Sequence, residues 1–367
     1  MICGPQPGSY IISLWENDMK IGILTFEKAV NYGTALQAIA MQRVLESFGV
    51  QAEFLAHRCD AIDANSKVFD LKEAKSPAYV VAHLYNLSCA MKRNRAFREF
   101  QQKFFAFGTD NPRDYDMIVA GSDQIWNYKL TGNDWFYFLD FPKENIKKVA
   151  YAGSFGLPEV AAEYVDTLKP LLEDFDYLSV REETAARIIR EITGRDVPVV
   201  LDPTLLLNRE QWAAMTEPDS GKTGYIFVYT VFASESLWQF AYELSKRTGL
   251  PIRTISYSKL HRHQAEYDFS AGPGQWLSHM LGADYVVTNS FHGMAFSVNF
   301  QKQFYYELPP KTSGVGSRLQ DMAQKFGLTD RELSRRSEAV IDYTGVNAKL
   351  EQARTESRRF VEQFISK

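Results

Sequence analysis

Two residues of this 367-residue chain have the type and setting to move a proton and to hold an anion: His292 and Arg181. The stretch 282–300 reads GADYVVTNSFHGMAFSVNF. Asp284 to Thr288 is a short apolar run rich in valine, the composition of a buried parallel strand. It stops at Asn289-Ser290, and a helix-like run from Met294 to Phe300 follows. His292 therefore falls where a strand gives way to a helix N-terminus. Ligands of open α/β sheets bind beyond the carboxyl ends of the strands. A helix N-terminus adds free N–H groups and a positive dipole end. An imidazole there, flanked by Asn289, Ser290 and Gly293, suits proton transfer on an anionic substrate; a histidine packed for structure is the plainer alternative. Arg181 ends another apolar strand, Asp176 to Val180. Its guanidinium offers bidentate donors to a carboxylate or phosphate, against the alternative of a salt bridge to Glu182 or Glu183. Arg318, which opens a helix after the Gly314–Gly316 loop, is a second anion-binding candidate or an exposed helix-N-terminal arginine.

Small polar turns close other strands. Gly121-Ser122-Asp123 and Gly153-Ser154 would let a ligand approach the backbone closely. Beside them, Gln124 and Trp126 either contact and stack on a sugar or, for Trp126, belong to the core. Asn31-Tyr32-Gly33-Thr34 either caps the first helix or lines the cleft. Neither GxGxxG nor GxxxxGKS/T occurs. His261 and His263 alternate as metal ligands on a strand can, but no acidic or cysteine partner stands at a matching spacing, so no metal is expected.

The elements that must position these residues alternate strand and helix nearly throughout, the signature of parallel α/β architecture. IGILTF is the first strand, a helix spans about 35–48, and Gln51 to Leu55 is the second strand. Further strands are expected at Tyr115 to Ala120, Lys148 to Ala152, Asp176 to Val180 and Val197 to Leu201, then Tyr225 to Val231, Pro251 to Ser256, the 284–288 run and Phe304 to Tyr306. The chain divides into an N-terminal appendage (1–18, before Met19), a first Rossmann-like domain (19–207), a polar linker (208–224), a second Rossmann-like domain (225–345) and a C-terminal amphipathic helix (346–367). A helical insertion occupies about 60–110. Its basic cluster, Lys92, Arg93, Arg95 and Arg98, is read as a solvated helix face, with a phosphate or membrane-surface contact as the alternative. Asp176-Tyr177 and Asp284-Tyr285 each begin a strand that leads into a helix. Two similar sheets facing each other would bring Arg181 and His292 to opposite walls of one cleft; chance similarity explains the echo equally well.

Composition narrows the class. The chain is 45% hydrophobic and 23% charged, ordinary for a globular protein. A formal net charge of -4 gives no bulk attraction to nucleic acid. Three scattered cysteines, Cys3, Cys59 and Cys89, form no CxxC pair, so a reducing compartment is the natural reading. No apolar run approaches the roughly 20 residues that span a bilayer. Aromatic residues make up 14% of the chain, which fits large aromatic cores first and sugar-stacking surfaces second.

Taken in order, NYGTALQ, AGSDQIWN, YAGSFG, LSVRE, LDPTLLL, TNSFHGMAFS and SRLQDM resemble the polysaccharide pyruvyl transferase family across about residues 20–330. The resemblance implies a glycosyltransferase-B-like fold: two Rossmann-like domains facing a central cleft, with the C-terminal helix packing back across the linker. It also implies transfer of the pyruvyl group of phosphoenolpyruvate onto a sugar, as a cyclic ketal, without a further cofactor. The family's SVR arginine and late-motif histidine line the donor pocket, and they match Arg181 and His292. Family members resemble one another in an Arg-x-His arrangement where this chain has Ser290-Phe291-His292. Arg318 and Lys311 are the candidates to replace that arginine. The implied setting is cytoplasmic, at the inner face of the membrane if the acceptor is lipid-linked, with peripheral contact rather than a span. A nucleotide-sugar-dependent glycosyltransferase and a non-catalytic carbohydrate-binding relative are the alternatives on the same architecture.

Overall fold

Continuous apolar runs decide the architecture. KIGIL, MIVA, IFVY and YVVT are buried almost throughout, as strands of a parallel sheet covered on both faces must be. The computed structural model describes residues 18–65, 77–217, 223–260, 263–309 and 316–366, and among these the runs form two five-stranded parallel sheets. The first contains β1 (Lys20–Leu24), β2 (Gln51–Phe54), β3 (Met117–Ala120), β4 (Lys147–Gly153) and β5 (Tyr177–Val180), in the order β2-β1-β3-β4-β5. The second contains β6 (Ile226–Tyr229), β7 (Ile252–Ile255), β8 (Glu266–Asp268), β9 (Tyr285–Thr288) and β10 (Gln303–Tyr306), in the order β10-β9-β6-β7-β8. Each order reverses direction once: between β1 and β3 in the first sheet, and between β6 and β9 in the second. These are the switch points where doubly wound sheets open a crevice.

The helices of the first lobe are α1 (Tyr32–Glu46), α2 (Asp60–Asn65), α3 (Pro77–Phe104), α4 (Tyr128–Thr131), α5 (Ala162–Glu173), α6 (Glu183–Thr193) and α7 (Arg209–Ala213). Those that follow are α8 (Glu235–Thr248), α9 (Pro273–Gly282), α10 (Phe291–Asn299), α11 (Gly316–Phe326) and α12 (Tyr343–Ile365). Helix α1 is buried nearly all round, from Tyr32 to Leu45 with Arg43 the exception, because it is sandwiched between the lobes rather than lying on a surface. One apolar cluster runs through both lobes, joining Ile21, Val119 and Tyr151 to Phe227, Val286 and Phe304. The lobes therefore share a core.

Helix α12 ties that core shut. Its Phe360 and Phe364 stack near Tyr151 and Tyr177 of the first sheet. The Ser357 hydroxyl accepts from the Leu201 amide at 2.9 Å. Arg354 donates to the Leu205 and Leu207 carbonyls and to Asn299 of α10. The C-terminal helix thus packs back onto the first lobe across the chain's crossing segment.

Several expectations need correction. Val197 to Leu201 is not a strand; Val199 makes only an isolated bridge to Val180, since Pro198 has no N–H to extend a ladder. The last helix starts at Tyr343, where Asp342 caps it. Helix α10 starts at Phe291, so His292 lies inside its first turn rather than before it. Helix α5 and strand β8 were not anticipated: α5 carries a proline, Pro170, inside it, and β8 is only three residues long. Helix α3 is the expected insertion, but only Lys92, Arg95 and Arg98 of its basic cluster are exposed; Arg93 is buried. Residues 1–17, 218–222, His261, Arg262, Lys311 and Gly314 lie outside the described residues. No helix among the described residues is long and apolar enough to cross a membrane.

Candidate active site

The two switch points meet, and each is held open by a buried polar clamp. In the first, Gln37 of α1 donates to the Thr25 hydroxyl at 2.8 Å and accepts from the Ser122 amide at 3.1 Å. This fixes the turns that leave β1 and β3. Gly121 within the second turn has φ +125, and a Cβ there would strike the Tyr151 carbonyl, so only glycine fits. In the second switch point, the Asn289 carboxamide accepts from the Val231 amide at 2.8 Å and donates to the Phe232 carbonyl at 2.9 Å. It stitches the turn after β6 to the turn after β9. The Ser290 hydroxyl accepts from the Gly293 amide at 3.3 Å and so caps α10.

Asp202, in the LDPT turn, is the hub. Fully buried on its side chain, it accepts from Arg181 Nη1 at 2.9 Å, from the Ser122 hydroxyl at 3.3 Å, and from the Thr204 amide and hydroxyl at 2.9 and 2.7 Å. The His292 Nε2 lies 3.7 Å from the same carboxylate, at ion-pair range but beyond a hydrogen bond. Burial alone would raise the pKa of Asp202; the neighbouring His292 and Arg181 outweigh it and keep the group ionised far below the usual carboxylate range. Asp123 behaves alike: burial opposes ionisation, and Arg181, His292 and a 2.6 Å hydrogen bond from the Thr34 hydroxyl overcome it.

Arg181 is buried among acids, with Asp123 Oδ1 and Glu182 Oε2 each 3.7 Å from it. Those carboxylates hold its proton more tightly than burial loosens it. Its Nε and Nη2 nevertheless have no hydrogen-bond partner. Arg318 of α11 is also buried, with its Nε unpartnered. Burial first, and the charge of Arg181 second, push it down to about 10. Both guanidinia stand over the Phe291 ring, at 5.0 and 5.8 Å from its centroid, and Phe291 meets the His292 ring edge-on. His292 Nε2 is likewise buried and unpartnered. The result is a buried group of N–H donors and an imidazole, all with spare hydrogen-bonding capacity, closed between two lobes. Such a group can grip a small multiply charged anion and exchange protons with it.

The sequence-derived residues sort clearly against this geometry. Arg181, Arg318, His292, Ser122 and Asp123 come together. Gly33 joins them from α1, because its missing side chain leaves the space that the His292 ring fills. Asn31 caps α1 through the Thr34 amide and is exposed. Tyr32 is fully buried and donates to the Ala271 carbonyl across the lobes at 2.9 Å. Ser154 donates to Glu182 at 2.7 Å, one layer behind Arg181. Gln124 accepts from Asn127 at 3.2 Å. Trp126 is fully buried, donating to the Tyr137 carbonyl and stacked on Phe138, so it is core rather than a sugar platform. His263 stacks on Trp238. Asp202 was missing from the sequence-derived site, though the LDPT motif contained its signal, a carboxylate immediately before a proline turn; Glu182 was read only as a salt-bridge partner of Arg181, and Thr34 only as part of the turn that caps α1 or lines the cleft. A further buried carboxylate, Glu27, lies just beyond β1, with Lys28 at 3.6 Å and His57 as its cationic neighbours.

Fold and site together define a two-lobed α/β protein with two doubly wound, Rossmann-like parallel sheets, and buried cations and carboxylates gathered where the sheets face each other. The chain belongs to the polysaccharide pyruvyl transferase family, whose model matches residues 31–306. No curated protein matches it. Solved structures of similar outline include UDP-GlcNAc 2-epimerase from Neisseria meningitidis bound to UDP-GlcNAc, at 9% identity and a TM-score of 0.41, covering 92% of this chain and 99% of that one. The UDP-GlcNAc 2-epimerase from Methanocaldococcus jannaschii is similar at 10% identity and 0.44, covering 95% and 100%. E. coli heptosyltransferase WaaC with ADP is similar at 11% identity and 0.40, covering 91% and 100%. The strand orders, and not these loose likenesses, define the fold.

Two predictions follow from the packing. Gly33→Ala forces the His292 ring aside and lowers turnover by about 100-fold, while the melting temperature moves by only a few degrees; steady-state kinetics and a thermal melt check this. Burial pushes the Glu27 carboxyl from its ordinary 4.5 up to about 7. Because the folded group holds its proton to higher pH than the unfolded one, stability falls as pH rises from about 4.5 to about 7. Glu27→Gln removes that loss, up to about 3 kcal/mol, so it raises the denaturation midpoint at pH 8 and leaves it little changed at pH 4.

Proposed function

We propose that the chain transfers the pyruvyl group of phosphoenolpyruvate onto two hydroxyls of a sugar in a polysaccharide or its precursor, forming a cyclic ketal and releasing phosphate. The observation that carries this reading is the pair of buried guanidinia around Phe291, with unpaired N–H atoms beside an imidazole whose Nε2 is also unpaired. Phosphoenolpyruvate has a carboxylate, a phosphate and a methylene carbon that must accept a proton. The family assignment supports the group transferred, and the donor set supports the anionic donor.

In this mechanism Arg181 and Arg318 bind the carboxylate and phosphate of the donor. Arg318 supplies from α11 the second guanidinium that the Ser290-Phe291-His292 sequence lacks. Protonation of the methylene carbon makes a methyl group and leaves positive charge on the adjacent carbon. One sugar hydroxyl adds there, the C–O bond to phosphate breaks, and the second hydroxyl closes the ketal. One hydroxyl proton ends on the methyl group and the other on phosphate. His292 relays these protons, with the Asp202 carboxylate 3.7 Å from its Nε2. The closed space between the lobes excludes water, which would otherwise compete with the sugar.

The test is phosphate release from phosphoenolpyruvate with a panel of hexosides as acceptors. His292→Ala lowers turnover at least about 100-fold. Arg318→Met raises KM for phosphoenolpyruvate at least about 10-fold, as loss of one charged hydrogen bond should. Wild-type protein is stabilised against heat by phosphoenolpyruvate and not by UDP or GDP; the opposite pattern overturns this reading in favour of a nucleotide-sugar transferase.

A further inference from the structure

Among the described residues, Arg93 is a second buried cation without an anion. It lies in the inserted helix α3 and is 8% exposed. Its Nε and Nη1 are buried and make no hydrogen bond, and no carboxylate among the described residues lies within ion-pair distance of it. Its neighbour is the Tyr257 ring, 4.2 Å from the guanidinium carbon. A cation–π contact offsets part of the lost hydration but supplies no hydrogen-bond acceptor. An arginine cannot discharge itself by losing a proton. Buried donors left without acceptors are destabilising, and more so when charged. The protein retains an unsatisfied guanidinium that a bound anion would satisfy.

Its position is fixed by the fold. Two turns earlier on α3, the Asn86 side chain accepts from the Lys259 amide at 2.7 Å and bonds Ser258, pinning the helix to the loop beyond β7. Three residues later, Ala96 packs against Gly272, just ahead of α9. Arg93 therefore stands at the carboxyl-end rim of the second sheet, on the crevice side. Tyr257 is 47% exposed, so its ring reaches the surface and covers the buried Arg93 guanidinium. The Tyr257 ring lies 6.2 Å from that of Tyr32, and the next residue, Gly33, is the seat of His292. Arg93 and the Arg181–Arg318 pair thus flank the Tyr32–Gly33 turn.

We propose that Arg93 is an acceptor subsite that binds a phosphoryl group attached to the sugar being modified. This rests on the pyruvyl-transfer reading: the donor's anions occupy Arg181 and Arg318, so a second cation across the turn serves the other substrate. Phosphoryl oxygens are charge-assisted acceptors for these free guanidinium N–H groups. A nucleoside diphosphate-sugar and a lipid diphosphate-sugar share that chemistry.

The experiment compares Arg93→Met with wild type on three acceptors at saturating phosphoenolpyruvate: a UDP-hexose, a decyl-diphospho-hexose and an aryl hexoside without phosphate. The expected result is a KM raised at least 10-fold for one or both diphosphate acceptors. KM for phosphoenolpyruvate and kcat/KM for the aryl hexoside stay within about twofold, and Arg93→Lys recovers part of the loss. Whichever diphosphate acceptor responds identifies the source. Equal losses on all three acceptors, or none, overturn the proposal. Calorimetric titration with inorganic pyrophosphate separates this from failure of the pyruvyl-transfer reading. Arg93→Met abolishes a binding event that Arg318→Met retains, even if phosphoenolpyruvate supports no turnover; unchanged pyrophosphate binding in Arg93→Met overturns the subsite.

Discussion

The site depends on one buried carboxylate. Asp202 has no exposed surface on its side chain, yet it stays ionised because Arg181 and His292 share it and three further donors, from Ser122 and Thr204, reach it. Removing either partner of such a pair strands the other charge in a low-dielectric interior, a loss of about 3–5 kcal/mol. The arrangement is costly to assemble and gives little net stability, so packing is a poor explanation for it. It is well explained as a fixed electrostatic frame. The frame keeps Arg181 oriented while leaving its Nε and Nη2 unpaired, and it sets a negative charge behind the imidazole that must carry a proton.

The frame exists because two sheets with different strand orders present their switch points to each other. The first contributes Ser122, Asp123 and the N-terminus of α1. The second contributes Asn289, Ser290 and the first turn of α10. The absent side chain at Gly33 allows the α1 backbone to meet the His292 ring. Helix α12, bonded through Arg354 and Ser357 to residues 201–207, holds the strip that follows Asp202 in place. Motion of one lobe against the other would part Gly33 from His292 and Asp202 from His292 together, so closure and assembly of the site are one event.

Much of this was legible in the residues themselves. The alternation of β-branched runs with amphipathic segments marked nine of the ten strands, because parallel strands buried on both faces cannot hide their composition. The strand-to-helix junctions after β5 and β9 marked Arg181 and His292. What escaped was long-range. Asp202 is a hub only because the fold sets the Asp202-Pro203 turn beside Arg181 and His292. Trp126 could be core or platform until Tyr137 was found on its indole N–H. Arg93 looked like one more surface cation in a basic stretch; the fold separated it from Lys92 and Arg95 by turning it toward Tyr257. Helical periodicity names a face, but the neighbour that covers the face comes from residues more than 150 positions away.

Turnover of Asp202→Asn tests the frame most directly, because the amide keeps the size and one acceptor oxygen while removing the charge and turning the other acceptor into a donor. The account predicts a folded protein whose phosphate release from phosphoenolpyruvate is at least about 100-fold slower than wild type. A folded Asp202→Asn protein with near-normal turnover would contradict it.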